Sequence, residues 1–215
     1  MSLRSEALRG HTAMLLFSFL VAGSFSLGAR VANMVDPVAL TAVRFAIAAS
    51  LIGLLALATG GVRRAALTAP WRYMVLGGIF AIYFVLMFEG LKTADPVDAA
   101  AIFTLTPVLT AGVAWVLLRQ ITSPLTAFAL ALGAAGAVWV IFDANISRLI
   151  RFDVGRGEVI YFIGCVAHAI YTPLVRKLNR GERPVVFTFG MLVAGAVMLG
   201  VIAAPELLSM NWAAL

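Results

Sequence analysis

Long apolar runs alternate with short polar breaks along almost the whole chain. Seven runs approach or exceed the roughly 20 residues that an α-helix needs to cross a bilayer core. They cover 13–33, 37–59, 71–92, 96–118, 124–142, 157–177 and 185–204. None alternates strictly between apolar and polar positions. A segment in lipid must also satisfy its backbone internally, so the pattern predicts helices rather than strands. Prolines punctuate the runs. Pro37, Pro70, Pro96, Pro124, Pro184 and Pro205 fall at their edges, where a missing N–H costs little. Pro107 and Pro173 fall inside, predicting kinks in the fourth and sixth helices.

Composition sharpens this picture. Of 215 residues, 62% are hydrophobic and 12% charged, with a mean hydropathy of +1.01, whereas a soluble domain carries about 25% charged residues. Sixteen basic and ten acidic side chains cannot coat a globule of this size. The expectation is an all-α membrane protein of seven transmembrane helices, with the lipid bilayer as its surroundings. The net charge of +6 lies in short loops without a basic face or aromatic interleaving, so it reads as a topology signal and not as a nucleic-acid surface.

With the N-terminus inside, the inner segments hold Arg4, Arg9, Arg63, Arg64, Arg72, Arg119, Arg176, Lys177, Arg180 and Arg183. The outer segments hold Arg30, Lys92, Arg148, Arg151 and Arg156, three of them in the acid-containing loop "DANISRLIRFDVGRGE". Ten against five favours a cytoplasmic N-terminus. The first run is longer than the roughly 7–15 residues of a signal-peptide core, and further spans follow it, so it reads as an uncleaved helix. The single cysteine, Cys165, excludes an internal disulfide and reads as packing.

A shift of 147 residues aligns the first two runs with the last two. Gly10 meets Gly157, Ala22 meets Ala169, Leu27 meets Leu174, Pro37-Val38 meets Pro184-Val185, Thr41 meets Thr188 and Gly53 meets Gly200. The pattern restarts after five helices, an odd number, so a second copy would enter the membrane from the opposite side. Such inverted repeats enclose a site near the midplane in secondary transporters. The segment around "TPVLTAGVAW", with its preceding polar turn, its following Ser-Pro and its Gly/Ala-rich helix, resembles the end of a repeat of the EamA family in the drug/metabolite transporter superfamily. "TAVRF" resembles that family's arginine-containing second helix.

The resemblance implies one whole repeat over 1–145 and an incomplete inverted second repeat, with its outer loop, over 146–215. It further implies a secondary transporter or exporter of small metabolites, amino acids or drugs, working by alternating access in the bacterial inner membrane. Two departures stand out. Arg119-Gln120 occupies the place where the family carries an acid after its fourth helix, and the family has ten helices where this chain ends at "APELLSMNWAAL" after seven. The sequence therefore reads as truncated, to be completed by missing C-terminal helices or by a homo-oligomer. A non-transporting or remnant membrane subunit is the alternative. An intramembrane enzyme is a distant third, because G-x-S-x-G and H-E-x-x-H are absent and only His11 and His168 occur. No cofactor or metal is expected.

Candidate site residues follow from polar groups inside apolar runs. An arginine at a helix centre costs about 2.5–3.5 kcal/mol to insert, while each Leu, Ile, Phe or Val returns about 0.3–0.6. The second run holds about ten such residues, so it can carry Arg44. Arg44 lies about 10 Å below Pro37, and Glu89 about 5 Å below Lys92 at the same boundary. Arg44 thus pairs with Glu89, lines a substrate path or snorkels, and Lys92 is the rival partner of Glu89 at i+3. His168 is either a proton-relay or substrate-binding group or a helix–helix hydrogen bonder. Tyr171 follows within a turn, and Pro107 would break its helix near the midplane, as helices do beside cavities. Trp71, Tyr73, Trp115 and Trp139 read as interfacial anchors. Ala129/Gly133/Ala137, Gly133–Gly136 and Ala196/Gly200 read as close helix contacts.

Overall fold

The computed structural model describes residues 3–62 and 64–209. Arg63 and the end of the chain through Leu215, both used above, lie outside the described residues. Ten α-helices are present among the described residues: α1 (Leu3–Val31), α2 (Pro37–Ala58), α3 (Trp71–Gly90), α4 (Pro96–Phe103), α5 (Thr106–Leu118), α6 (Pro124–Ile141), α7 (Ile146–Arg151), α8 (Arg156–Leu178), α9 (Pro184–Ile202) and α10 (Ala204–Ser209). A 3₁₀ turn, Arg64–Leu67, lies in the α2–α3 linker. Among the described residues, seven spans are long and apolar enough to cross a membrane, with α4 and α5 together forming the fourth. The protein is an integral membrane protein, as the apolar runs predict.

Helix starts repeat one device. Asp36, Asp95 and Ser123 each cap a helix whose first residue is proline, and their side-chain oxygens accept from backbone N–H groups at 2.7–3.2 Å. The cap satisfies orphan donors while proline supplies a preset φ and no N–H of its own. Pro107 has the opposite effect. Lacking an N–H, it leaves the Phe103 carbonyl without its i+4 donor, and the fourth span breaks into a turn at Thr104 and Leu105. Pro173 is accommodated within α8, which runs unbroken to Leu178.

The most extensive packing joins α3 to α8 and α2 to α9, followed by α3 to α9 and α5 to α8. Glycines set the closest approaches. A Cβ at Gly77 would lie 2.5 Å from the Met191 carbonyl, and one at Gly90 would lie 2.7 Å from that of Gly157. Gly133, Gly136 and Gly200 have nothing within 4 Å of an added Cβ. Gly133 and Gly136, expected to join α6 to a neighbour, therefore do not do so, while Ala137 of the same set does: α6 docks through Ala137 and Ile141 at its C-terminal end. In the connection between α6 and α8, Asn145 caps α7, and Arg148 pairs with both Asp143 and Asp153, which offsets part of that segment's positive charge. Cys165 is fully buried, as a packing role requires.

Gly77→Val forces α3 off α9 and lowers stability by about 1–3 kcal/mol, as overpacking does. Gly133→Ala leaves stability unchanged or slightly raised. Thermal unfolding of both variants in detergent checks the pair.

Candidate functional site

A cavity of about 930 Å³ lies where the broken fourth span faces α8. Its walls come from Phe17 of α1, the α4–α5 break, the α5–α6 turn, α6 and α8. His168, Thr172 and Arg176 recur at every fourth position of α8, so one helix face presents all three. Opposite them are Thr104, Thr106, Thr110, Thr122, Ser123 and Thr126. Among the described lining residues Arg176 is the one permanent charge, and its Nη1 donates to Gln120 Oε1 at 3.3 Å. Arg119 ends α5 in the left-handed region (φ 54°), which turns the chain so that Gln120 reaches Arg176.

His168 stands where this cavity meets an aromatic cluster. Its ring lies 4.7 Å from Tyr83, 5.7 Å from Phe103, 5.9 Å from Tyr171 and 6.2 Å from Phe80, centroid to centroid. Its Nδ1 is buried without a hydrogen-bond partner among the described residues. Thr106 Oγ1, on the cavity wall beside the break, is likewise buried without a partner. Unsatisfied buried polar atoms cost stability and concentrate where a ligand can satisfy them. Tyr83 and Tyr161 share a hydroxyl–hydroxyl hydrogen bond of 3.3 Å at the base of the cluster.

Of the five candidate residues, Pro107 and His168 line this cavity. Tyr171 turns away, stacking on Phe80 at 4.6 Å and donating its hydroxyl to Met191 Sδ. Glu89 takes the rival partner, Lys92, at 2.7 Å near the end of α3 and not Arg44. Similar depth does not place two side chains on facing sides of their helices, and an i+3 partner was closer. Arg44 lies over the rings of Phe88 (4.8 Å) and Phe84 (5.1 Å) and makes no ion pair among the described residues. It lines a separate crevice of about 350 Å³ with Thr41, Phe80 and Phe84. α3 therefore stands as an aromatic wall with His168 on one side and Arg44 on the other.

One residue escaped the sequence reading. Arg72, counted there as a loop charge, is 1% exposed and is the largest fully buried side chain. Its Nη2 meets Glu182 Oε1 at 2.6 Å, its Nη1 meets the Leu178 carbonyl at 2.7 Å and its Nε meets the Ala69 carbonyl at 3.3 Å. Neighbouring Tyr73 is buried too, donating to the Ala66 carbonyl at 2.8 Å, so it is not an interfacial anchor, whereas Trp71 at 51% exposed fits that role. Glu182, in the turn between α8 and α9, is held down to about 2 by the Arg72 guanidinium, assisted by backbone N–H donors.

An all-helical polytopic membrane protein with a hydroxyl-lined intramembrane cavity at a broken helix is the class these features define. The profile of the EamA-like transporter family matches residues 8–142, and the chain belongs to that family. It is 30% identical over 193 residues to "Uncharacterized transporter YyaM" of Bacillus subtilis, a match covering 88% of this chain and 63% of that protein. It is 38% identical over 111 residues to "Aromatic amino acid exporter YddG" of Ancylobacter novellus, covering 51% of this chain and 36% of that one. The chain thus spans less than two thirds of the length of these relatives. A solved crystal structure at 25% identity superposes with a TM-score of 0.62, covering 98% of this chain and 70% of its own.

Because the Glu182 carboxyl is depressed from 4.5 to about 2 in the folded protein, its contribution is complete above pH 4.5 and is lost as the pH falls towards 2. Glu182→Gln is less stable than the parent by about 3 kcal/mol at neutral pH, since it strands a buried guanidinium. The gap closes through that acid window. Unfolding midpoints of the two proteins across pH 2–6 check this.

Proposed function

We propose that the protein is a membrane transporter of small amphipathic solutes, moving them by alternating access through the cavity between α5, α6 and α8. The carrying observation is that cavity's chemistry: one guanidinium at an end, a facing row of hydroxyls, and the unpartnered Nδ1 of His168 among aromatic rings. A solute with an acidic group and an apolar or aromatic body suits these walls. The name of the Ancylobacter relative, an aromatic amino acid exporter, supports amino acids as the first substrates to test.

In this reading residues 1–145 are one repeat and 146–215 begin an inverted second one. The coincident proline starts of α2 and α9, 147 residues apart, support that division. The N-terminus is cytoplasmic, which the loop charges favour, and the membrane is the bacterial inner membrane, which the bacterial sources of the relatives support. The fourth-span break leaves the Phe103 carbonyl without its i+4 donor beside the cavity, and discontinuous helices of this kind flank the sites of secondary transporters. Arg44 forms a second polar point on the path, held on the outer side of the α3 wall by Phe84 and Phe88.

Proteoliposomes of the protein loaded with unlabelled phenylalanine take up labelled phenylalanine by counterflow. His168→Ala and Arg176→Gln each cut the initial rate roughly tenfold or more, the size expected for losing a charged or buried polar contact. Arg44→Leu also impairs uptake. Parent-level rates in the His168 and Arg176 variants contradict the cavity assignment. Absence of counterflow for every amino acid contradicts amino acids as the substrates, and absence for other small solutes with an acidic group and an apolar body as well favours a non-transporting membrane subunit.

A further inference from the structure

A second polar crevice, distinct from the transport cavity, lies at the opposite side of the α8–α9 turn. It encloses about 560 Å³ between the end of α2, the α2–α3 linker and residues Arg180 to Arg183. Four membrane spans end around it, at Ala58, Trp71, Leu178 and Pro184, which sets it at the depth of lipid headgroups. The exposed indole of Trp71 beside that boundary fits the same depth.

Its charge balance is unusual. Glu182 is the carboxylate among the described lining residues, and it is already committed to Arg72 and to the Arg180 backbone N–H at 2.6 Å. Arg183 is held rigidly by neutral partners, donating to the carbonyls of Thr59 and Gly61. Gly60 and Gly61, at φ +117° and +70°, form the left-handed turn that brings those carbonyls to it, a conformation other residues rarely adopt. The Arg180 guanidinium makes no ion pair among the described residues. Two guanidinium charges therefore line one concave surface without an opposing carboxylate of their own. Such a pair matches a phosphate oxyanion, and guanidinium groups bind phosphate through parallel N–H donors.

We infer that this crevice binds a phosphate-bearing anion, with an acidic phospholipid headgroup as the source the depth favours. The site is independent of the transported solute. Only its assignment to the inner leaflet rests on the orientation proposed above. A bound lipid would bridge the α2–α3 linker to the α8–α9 turn and reinforce the contact that Arg72 makes nearby.

Native mass spectrometry of the protein in detergent, titrated with phosphatidylglycerol, phosphatidylcholine or inorganic phosphate, tests it. Phosphatidylglycerol binds in preference to phosphatidylcholine, and Arg180→Gln weakens it roughly fivefold, the weight of one basic side chain at an anionic surface. Arg180→Gln removes no hydrogen bond from the fold, so its effect is separable from misfolding, and Arg180→Lys restores most of the affinity. Retention of inorganic phosphate as strong as that of phosphatidylglycerol, and equally sensitive to Arg180→Gln, supports the phosphate site and assigns it to a soluble ligand. Equal binding of the two lipids, unaffected by Arg180→Gln, overturns the proposal whether or not the protein transports amino acids.

Discussion

Arg72 is buried where α3 enters the membrane, and the junction between the two parts of the bundle is organised around it. Its guanidinium closes three contacts: a carboxylate in the α8–α9 turn, the last carbonyl of α8, and a carbonyl of its own linker. The second contact is the least obvious. The final carbonyls of a helix lack intrahelical partners and carry the negative end of its dipole, so a cation there both satisfies a donor deficit and is favoured electrostatically. Without Glu182 the guanidinium would be an uncompensated charge in the interior. Without Arg72, α8 would end on a bare carbonyl beside a buried acid. The pair fixes α3 against α8 and α9, the helices that carry the core.

From that anchor the rest of the arrangement follows along α3. Gly77 and Gly90 bring it into backbone contact with α9 and α8, while Phe80, Tyr83 and Phe84 project between them. These rings form the partition between the two polar features of the membrane interior. His168 packs on one side, facing the hydroxyl-lined cavity, and Arg44 lies over Phe84 on the other. A stack of this kind has a small number of discrete packings, because interiors repack and do not deform continuously. Movement of α8 relative to α3 would change the access to His168.

Local chemistry was legible in the chain. Seven apolar runs, the Asp-Pro and Ser-Pro helix starts and the break before Pro107 all depend on backbone donors and acceptors within a few residues of one another. Rotation of one helix against another was not. Arg44 and Glu89 share a depth band, yet depth says nothing of azimuth, and Glu89 settled on Lys92. Gly133 and Gly136 read as a packing motif but lie on an open face, whereas Gly77 and Gly90 make the close contacts. Arg72 misled for a different reason: a basic residue one position inside a span reads as a loop charge, and its partner lies 110 residues away. Of the site, Pro107 and His168 could be read from their positions inside apolar runs. The hydroxyl wall could not, because threonine is common in such runs and only the fold gathers these side chains.

A double-mutant cycle on Arg72→Gln and Glu182→Gln, read as unfolding free energy in one detergent at neutral pH, tests the anchoring of α3 most directly. A coupling of about 1–3 kcal/mol, the double variant being far less damaged than the sum of the singles, is the expected result. Additivity within about 0.5 kcal/mol would mean that the two side chains do not depend on each other, and the central anchor would be wrong.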